Sequence, residues 1–279
     1  MAWSKVQGLL APKYRVCGYD RAGYGFSDPG PEPRDGTAVI RDLDQGLRAA
    51  RLKGPFIIVG HSTGGLYARL FSNRRPRDVI GMVLVDPSVE HQDASFAAVF
   101  GEGAGNQSGL RERVLRCLEE AERVSIPAIT APDGCLPRLR PADSVGVTQA
   151  RRAESMRPSY WRTQLSELDN LWTRTSAEIV AGRQSYGDLP LVVLTADGAY
   201  GDAPTATRAA QARLWRSLHV TVASRSHRGV ERLVQGTSHL MARDRPETIA
   251  SAVDEVASQA TSVQNDRSTP RKRPGGMRK

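Results

Sequence analysis

A run of apolar residues that ends in a glycine-rich turn constrains this chain more than any other feature. Residues 56–59 (Phe-Ile-Ile-Val) favour a strand, Gly-His-Ser-Thr-Gly follows at 60–64, and a helical pattern comes directly after it. Strand, sharp turn and helix form the context in which Gly-x-Ser-x-Gly lifts a nucleophilic serine clear of a sheet. We expect side chains at 60 or 64 to collide with neighbouring groups, so Gly60 and Gly64 would permit a strained Ser62. The alternative interpretation is a glycine-rich turn with a structural serine.

Continuous apolar segments alternate with amphipathic helical segments on both sides of this turn. A parallel sheet covered by helices on both faces has this pattern, because its strands are buried on both sides. The fold class predicted is therefore α/β. The predicted strands are 14–19, 55–59, 79–85, 191–194 and 230–234, and the predicted helices around them are 3–11, 37–51, 205–218 and 246–257.

The alternation stops over residues 88–187, where the periodicity indicates helices and loops. Because strands resume afterwards, we expect these helices to be an insertion between two strands of one sheet. The predicted domain organisation is a core of residues 1–87 and 188–260, a helical lid insertion at 88–187 and a disordered basic tail at 261–279.

The net charge of +9 does not predict a nucleic-acid partner. Residues 261–279 carry six Lys or Arg against one Asp, a net charge of +5, which leaves only +4 for the body. A basic tail of this kind is usually a solvated chain end. No apolar run reaches the length of a membrane span, and residues 1–5 show no signal pattern, so the cytoplasm is the default compartment.

The three cysteines have no metal-ligand spacing, and neither a metal nor another cofactor is predicted. Cys17 lies in the predicted strand 14–19 and is expected in the core. Cys117 and Cys135 lie in the inserted block, where a disulfide and two buried thiols are equally compatible with the sequence. The oligomeric state is left open.

These motifs together resemble the α/β-hydrolase superfamily, and in particular its lipase- and esterase-like branch with a lid between two strands. The glycine-rich loop after residue 19 lacks the Gly-Lys-Ser/Thr of a nucleotide site, but it is similar to the Asp-Arg-x-Gly-x-Gly-x-Ser loop of that branch. The segments that carry the resemblance are 19–27, 60–65, 83–87, 191–194 and 236–239.

The resemblance implies a serine hydrolase that cleaves a carboxylic ester or related acyl bond, with a small apolar ester as substrate. Ser62 would be the nucleophile, His239 the base and Asp197 the acid, in the chain order of the superfamily. The backbone N–H of Thr63 would be one oxyanion donor. Asp86, after the preceding strand, and Asp202, in the same loop as Asp197, stay open as alternative acids.

The other histidines are expected to have structural roles. His61 would pack or form a hydrogen bond locally, and His91 opens the inserted block. His219 and His227 are expected at the surface. Within the block, Trp161 and Trp172 lie at helical spacing with Leu165 and Leu168, either packing the lid onto the sheet or lining an acyl pocket.

The chain departs from the superfamily pattern at its N-terminus. The resemblance implies three strands before the first helix, the third lying between strands 14–19 and 55–59 and ending in a loop with a second oxyanion donor. We expect the chain to be an N-terminally shortened hydrolase that expresses poorly until an upstream segment is restored.

An impaired enzyme or a non-catalytic binding protein on this scaffold is the alternative function. The serine disfavours dehalogenase and epoxide-hydrolase chemistry, which use a carboxylate nucleophile, and leaves thioesterase, C–C hydrolase, peptidase and acyltransferase chemistry open.

Overall fold

A parallel sheet forms the centre of the described chain. The structure is a computed structural model that describes residues 3–102, 107–123, 135–136, 144–199 and 205–268. Its strands are β1 (Phe56–His61), β2 (Val79–Val85), β3 (Leu191–Ala196) and β4 (Gly229–Val234). They lie in the order β1-β2-β3-β4, and every neighbouring pair is parallel. The predicted α/β fold class is confirmed.

The two central strands explain why the sequence forms a sheet with two covered faces. Every residue of β3 is buried, and so is every residue of β2 except Ile80. Alternate side chains of one strand point to opposite faces, so Val83 and Val85 join one apolar core while Met82 and Leu84 join the other. Helices on each face complete both cores, as the continuous apolar runs predict.

The helices outside the inserted block include all the predicted ones, although the last is longer than predicted and a short helix precedes it. One core contains side chains of α1 (Ser4–Leu10) and α11 (Pro246–Ser268), and the other contains side chains of α2 (Gly36–Ala49) and α3 (Thr63–Arg74). The side chain of Asp35 caps α2 by accepting a hydrogen bond from the N–H of Ala38, which satisfies a donor that has no intrahelical partner. These helices are α1 (Ser4–Leu10), α2 (Gly36–Ala49), α3 (Thr63–Arg74), α9 (Thr205–Ala223), α10 (Met241–Asp244) and α11 (Pro246–Ser268).

The helical block lies between β2 and β3 in the chain, and its helices have a small core of their own. A disulfide joins Cys117 to Cys135, and both are buried beside Trp161, Leu165 and Leu168. The disulfide alternative is therefore the one the structure contains. The elements of the block are α4 (Gln92–Phe100), α5 (Gln107–Arg123), α6 (Val145–Ser155), α7 (Pro158–Asn170), a π-helical turn (Leu171–Thr175) and α8 (Ser176–Ala181).

The glycine loop, residues 20–28, binds the helical block through buried charge. Arg21 donates two hydrogen bonds of 2.9 Å to the carboxylate of Glu167 on α7, and the Tyr24 hydroxyl donates a third of the same length. The Arg21 guanidinium also lies 4.4 Å from the centroid of the Tyr24 ring and 5.4 Å from that of Tyr67 on α3. One carboxylate thus ties the block to the glycine loop.

Two expectations at the chain's ends are wrong. Residues 14–19 form no strand, and Cys17 is exposed rather than in the core. A strand needs a hydrogen-bonded neighbour, and no described strand pairs with the outer edge of β1 or with this segment. Residues 261–268, predicted as part of a disordered tail, extend α11 instead, and the rest of the tail lies outside the described residues. None of the described helices is long and apolar enough to cross a membrane.

Candidate functional site

The turn between β1 and α3 holds Ser62 in a strained conformation. Its φ of 54° and ψ of −127° are sparsely populated for a residue with a side chain, as the motif predicts. A Cβ at Gly60 would lie 2.2 Å from the carbonyl oxygen of Gly64, so glycine is required at position 60. The steric argument for Gly64 is wrong, because a Cβ there would meet nothing within 4 Å. The tight position is Gly65, where a Cβ would lie 2.3 Å from Pro87.

His239 follows β4 and lies against the residue that precedes Ser62. Its ring centroid is 4.5 Å from that of His61. Its Nδ1 donates a 2.6 Å hydrogen bond to Oδ2 of Asp86, the residue that follows β2. Because the strands are parallel, the residues that follow β1, β2 and β4 lie together at the carboxyl end of the sheet. The structure therefore brings His239 and Asp86 together beside the Ser62 turn.

The Asp86 carboxylate is fully buried and accepts hydrogen bonds on both oxygens. Oδ1 accepts from the backbone N–H of Ala196 at 3.0 Å and from the indole N–H of Trp215 at 2.8 Å. Burial alone would raise the pKa of Asp86, but the hydrogen bond and positive charge of His239 outweigh it and hold the pKa below its ordinary value. The group is an ionised carboxylate that can stabilise a protonated imidazole.

Asp197 has different partners from those expected of an acid beside the imidazole. It is exposed, and its two oxygens accept the backbone N–H groups of Gly236 at 2.9 Å and Thr237 at 3.1 Å. Asp197 thus fixes the loop that leads to His239, without contacting the ring in any hydrogen bond that the structure shows. Of the three candidate acids, the structure places Asp86 on the imidazole. Asp202 lies outside the described residues.

His61 supports the main chain of His239. Its Nε2 donates a 2.6 Å hydrogen bond to the carbonyl oxygen of His239, so that nitrogen carries a proton. Burial, together with the nearby charge of His239, lowers the pKa of His61 to about 4. His61 is therefore neutral near pH 7, and its expected local hydrogen bond is present.

The low pKa of His61 predicts a loss of stability in mild acid. The unfolded chain takes up a proton at this residue below about pH 6.5, whereas the folded chain does so only near pH 4. Unfolding therefore consumes a proton between these values, and the free energy of unfolding should fall by as much as about 1.4 kcal/mol per pH unit from this residue. His61→Gln keeps an N–H donor and removes the titration. Urea denaturation at several pH values from 7 to 4 should give the variant a shallower decline than the wild type, and equal slopes would contradict the prediction.

His219 is buried, and the expectation that it lies at the surface is wrong. Its Nε2 donates to the carbonyl oxygen of Pro87 at 2.9 Å, and its Nδ1 lies 2.9 Å from the hydroxyl of Thr195. Trp215 lies one turn earlier on α9, and the two rings are 4.4 Å apart. Sequence reasoning missed both as site neighbours, although their spacing of four residues places them on one face of a helix.

Thr63, the expected oxyanion donor, is the first residue of α3. Backbone N–H groups in the first turn of a helix have no intrahelical partner, and the helix dipole favours negative charge there. The position is compatible with binding an oxyanion. Within the described residues, no cluster of three or more His, Cys, Asp or Glu side chains is suited to hold a metal ion.

Comparisons with known proteins agree with the fold. Residues 1–252 match the profile of the alpha/beta hydrolase family. An AB hydrolase superfamily protein of Gibberella zeae is 31% identical over 188 residues, which are 65% of this chain and 52% of that protein. The YqjL protein of Bacillus subtilis is 32% identical over 87 residues, 31% of this chain and 34% of that protein. Matches to four curated relatives span between 14% and 52% of those relatives' lengths.

A solved structure of an esterase from Thermogutta terrifontis is also similar. Its TM-score is 0.57 at 16% sequence identity, and the match covers 93% of this chain and 85% of that one. At this identity, the likeness concerns the fold.

Proposed function

Since the chain belongs to the alpha/beta hydrolase family, we propose that it is a serine hydrolase that cleaves a carboxylic ester or related acyl bond through an acyl-enzyme on Ser62. The observation that carries the proposal is the 2.6 Å hydrogen bond from His239 Nδ1 to buried Asp86, beside the strained turn of Ser62. A serine becomes a useful nucleophile only when a base takes its proton, and an oriented imidazole is the common base.

The proposed acid is Asp86. With the Nδ1 proton held on the carboxylate, the lone pair of His239 is on Nε2, where it can accept the proton of the Ser62 hydroxyl. The serine oxygen attacks the carbonyl carbon, and the Thr63 N–H stabilises the oxyanion that forms. The imidazolium then gives its proton to the leaving alcohol as the ester bond breaks. Water attacks the acyl-enzyme by the same path and releases the acid, restoring Ser62 and His239.

We also propose that the helical block acts as a lid over the site. Its support is the attachment of α7 to the glycine loop through Glu167, and the main-chain contacts of that loop. Gly25 donates its N–H to Glu154 of α6 at 2.5 Å, and Arg157 donates to the carbonyl of Gly25 at 2.8 Å. Trp161 packs inside the block, while Trp172 packs against a cluster of Leu66 from α3 with Leu171 and Ile179 from the block. The contacts of Trp172 favour the interpretation that it packs the lid onto the core, whereas Trp161 belongs to the core of the block itself. A small apolar ester remains the proposed substrate.

A fluorophosphonate probe tests the nucleophile directly, since it labels only a serine that a base has activated. We expect the full chain to gain one label by intact-mass spectrometry, Ser62→Ala to gain none, and Ser95→Ala, at a partly exposed position, to label like the wild type. Hydrolysis of p-nitrophenyl acetate should fall at least about 10³-fold in Ser62→Ala. Undiminished labelling or turnover in Ser62→Ala would refute the nucleophile. A folded wild type with neither would favour the binding-protein alternative.

A further inference from the structure

Helix α9 carries two buried side chains that contact the turn at the end of β2. Trp215 donates its indole N–H to Oδ1 of Asp86 at 2.8 Å, and His219 donates to the carbonyl of Pro87 at 2.9 Å. Both side chains are at least 96% buried. Residues four apart lie on one face of a helix, so a single helix surface holds the Asp86 side chain and the next peptide group.

The turn that these residues contact is one that needs external support. Asp86 has a φ of 42°, in the left-handed region that residues with a side chain rarely occupy. Such a conformation persists only where the surrounding contacts determine it. Gly65 lets Pro87 come close on one side, and His219 holds the carbonyl of the same residue on the other.

The contacts of the two carboxylate oxygens fix the orientation of Asp86. Oδ1 receives two N–H groups, from Ala196 and Trp215, and Oδ2 receives the N–H of His239. The main-chain donor and the indole, which approaches from α9, hold Oδ1 from two elements, and Oδ2 is directed at the imidazole.

We propose that Trp215 is a positioning residue for the site: its indole N–H holds the Asp86 carboxylate so that Oδ2 faces His239 Nδ1. This inference rests on the proposed function for its catalytic consequence, but not for its geometry. It also gives a role to His219, which keeps the Asp86–Pro87 turn in place beneath the indole. Neither residue contacts the reacting atoms in this role.

Loss of the indole N–H has a defined structural consequence. Oδ1 would keep only the main-chain donor of Ala196, which leaves the carboxylate less firmly oriented. The hydrogen bond between Oδ2 and His239 Nδ1 should then lengthen, because the donor on α9 no longer holds the carboxylate toward the imidazole.

Trp215→Phe tests the proposal, because it keeps an aromatic ring and removes the N–H. We expect kcat/KM for p-nitrophenyl acetate to fall about 10- to 100-fold, mainly in kcat, the size expected for loss of one hydrogen bond to a charged group. Trp161→Phe is the matched control, since its buried indole donates to the carbonyl of Ser155 at 2.7 Å in the helical block. That control should leave kcat close to the wild-type value.

A second measurement separates this inference from the proposed function. The proton on His239 Nδ1 can be followed by ¹H NMR of ¹⁵N-histidine protein, which needs no turnover, because a proton held on a buried carboxylate resonates far downfield. A loss or upfield shift of this resonance in Trp215→Phe, and neither in Trp161→Phe, supports the positioning role even if no Ser62-dependent activity is found. An unchanged resonance in a folded Trp215→Phe overturns the role, whatever the activity of the wild type.

Discussion

Asp86→Asn is expected to lower the kcat of Ser62-dependent ester hydrolysis by about 10⁴-fold, with little change in KM. The amide still accepts hydrogen bonds from Ala196 and Trp215 through its oxygen, which directs its NH₂ group at His239 Nδ1. Two donors then face each other, so the imidazole must place its proton on Nε2 and cannot accept the proton of Ser62. Loss of the negative charge also destabilises the imidazolium. Steady-state kinetics on the folded variant measures the effect.

Asp197→Asn is the comparison that decides between the two acids. Asp197 accepts two main-chain N–H groups at an exposed position, so its amide keeps one acceptor and loses the other. We expect a loss of about 1 kcal/mol in unfolding free energy and a change in kcat of less than about tenfold. If Asp197→Asn removed more activity than Asp86→Asn, the assignment of the acid to Asp86 would be wrong.

The sequence could predict those parts of the site that depend on local structure. An apolar run, a glycine and a serine determine the turn at Ser62, and the positive φ of that residue follows from the motif. Because the strands are parallel, the residues after β2 and β4 lie at the same end of the sheet as the Ser62 turn, which follows β1. His239 could therefore be proposed from its place between a strand and the last helix, together with the resemblance to the superfamily.

The choice of acid could not be predicted, because it depends on contacts between distant residues. Asp86 and Asp197 each follow a central strand, so strand order makes both candidates. What distinguishes them is the left-handed backbone of Asp86 and the indole of Trp215, which lies 129 residues later in the chain. A side chain's hydrogen-bond partners across the fold leave no local signal in the sequence.

Residues 14–19 show the same limit for secondary structure. Tyr14, Val16 and Tyr19 favour a strand, but a strand exists only when its backbone groups have a partner. In the described chain β1 is the edge of the sheet, and the segment pairs with none of the described strands. Two of its side chains still pack, since Tyr14 and Val16 are partly buried against the same apolar core as Ile57 and Val59. The hydrophobic pattern thus agrees with contact at these two positions, whereas strand pairing and core burial of Cys17 were predicted incorrectly.

Glu167→Ala is expected to cost clearly more unfolding free energy than the loss of an exposed ion pair from the same helix. The Glu167 side chain is 7% exposed, and it holds the Arg21 guanidinium, which is 29% exposed, with two hydrogen bonds. Removal of the carboxylate leaves a largely buried cation between two aromatic rings without its counter-charge. We expect a cost of about 3 kcal/mol in unfolding free energy, at the low end for a broken buried pair because Arg21 keeps some contact with water.

Asp169→Ala is the matched control, since it removes an ion pair from the same helix at an exposed position. The side chains of Arg111 and Asp169 are 49% and 40% exposed, so their pair should contribute at most about 1 kcal/mol.

A double variant with both Arg21→Ala and Glu167→Ala provides a second control. Its loss of unfolding free energy should be smaller than the sum of the losses in the two single variants, because no buried charge is left unpaired. Urea denaturation gives the free energies, and limited proteolysis shows whether the helical block detaches first. If Glu167→Ala cost no more than Asp169→Ala, the carboxylate would not be what fastens the block to the glycine loop, and the proposed lid would need another attachment.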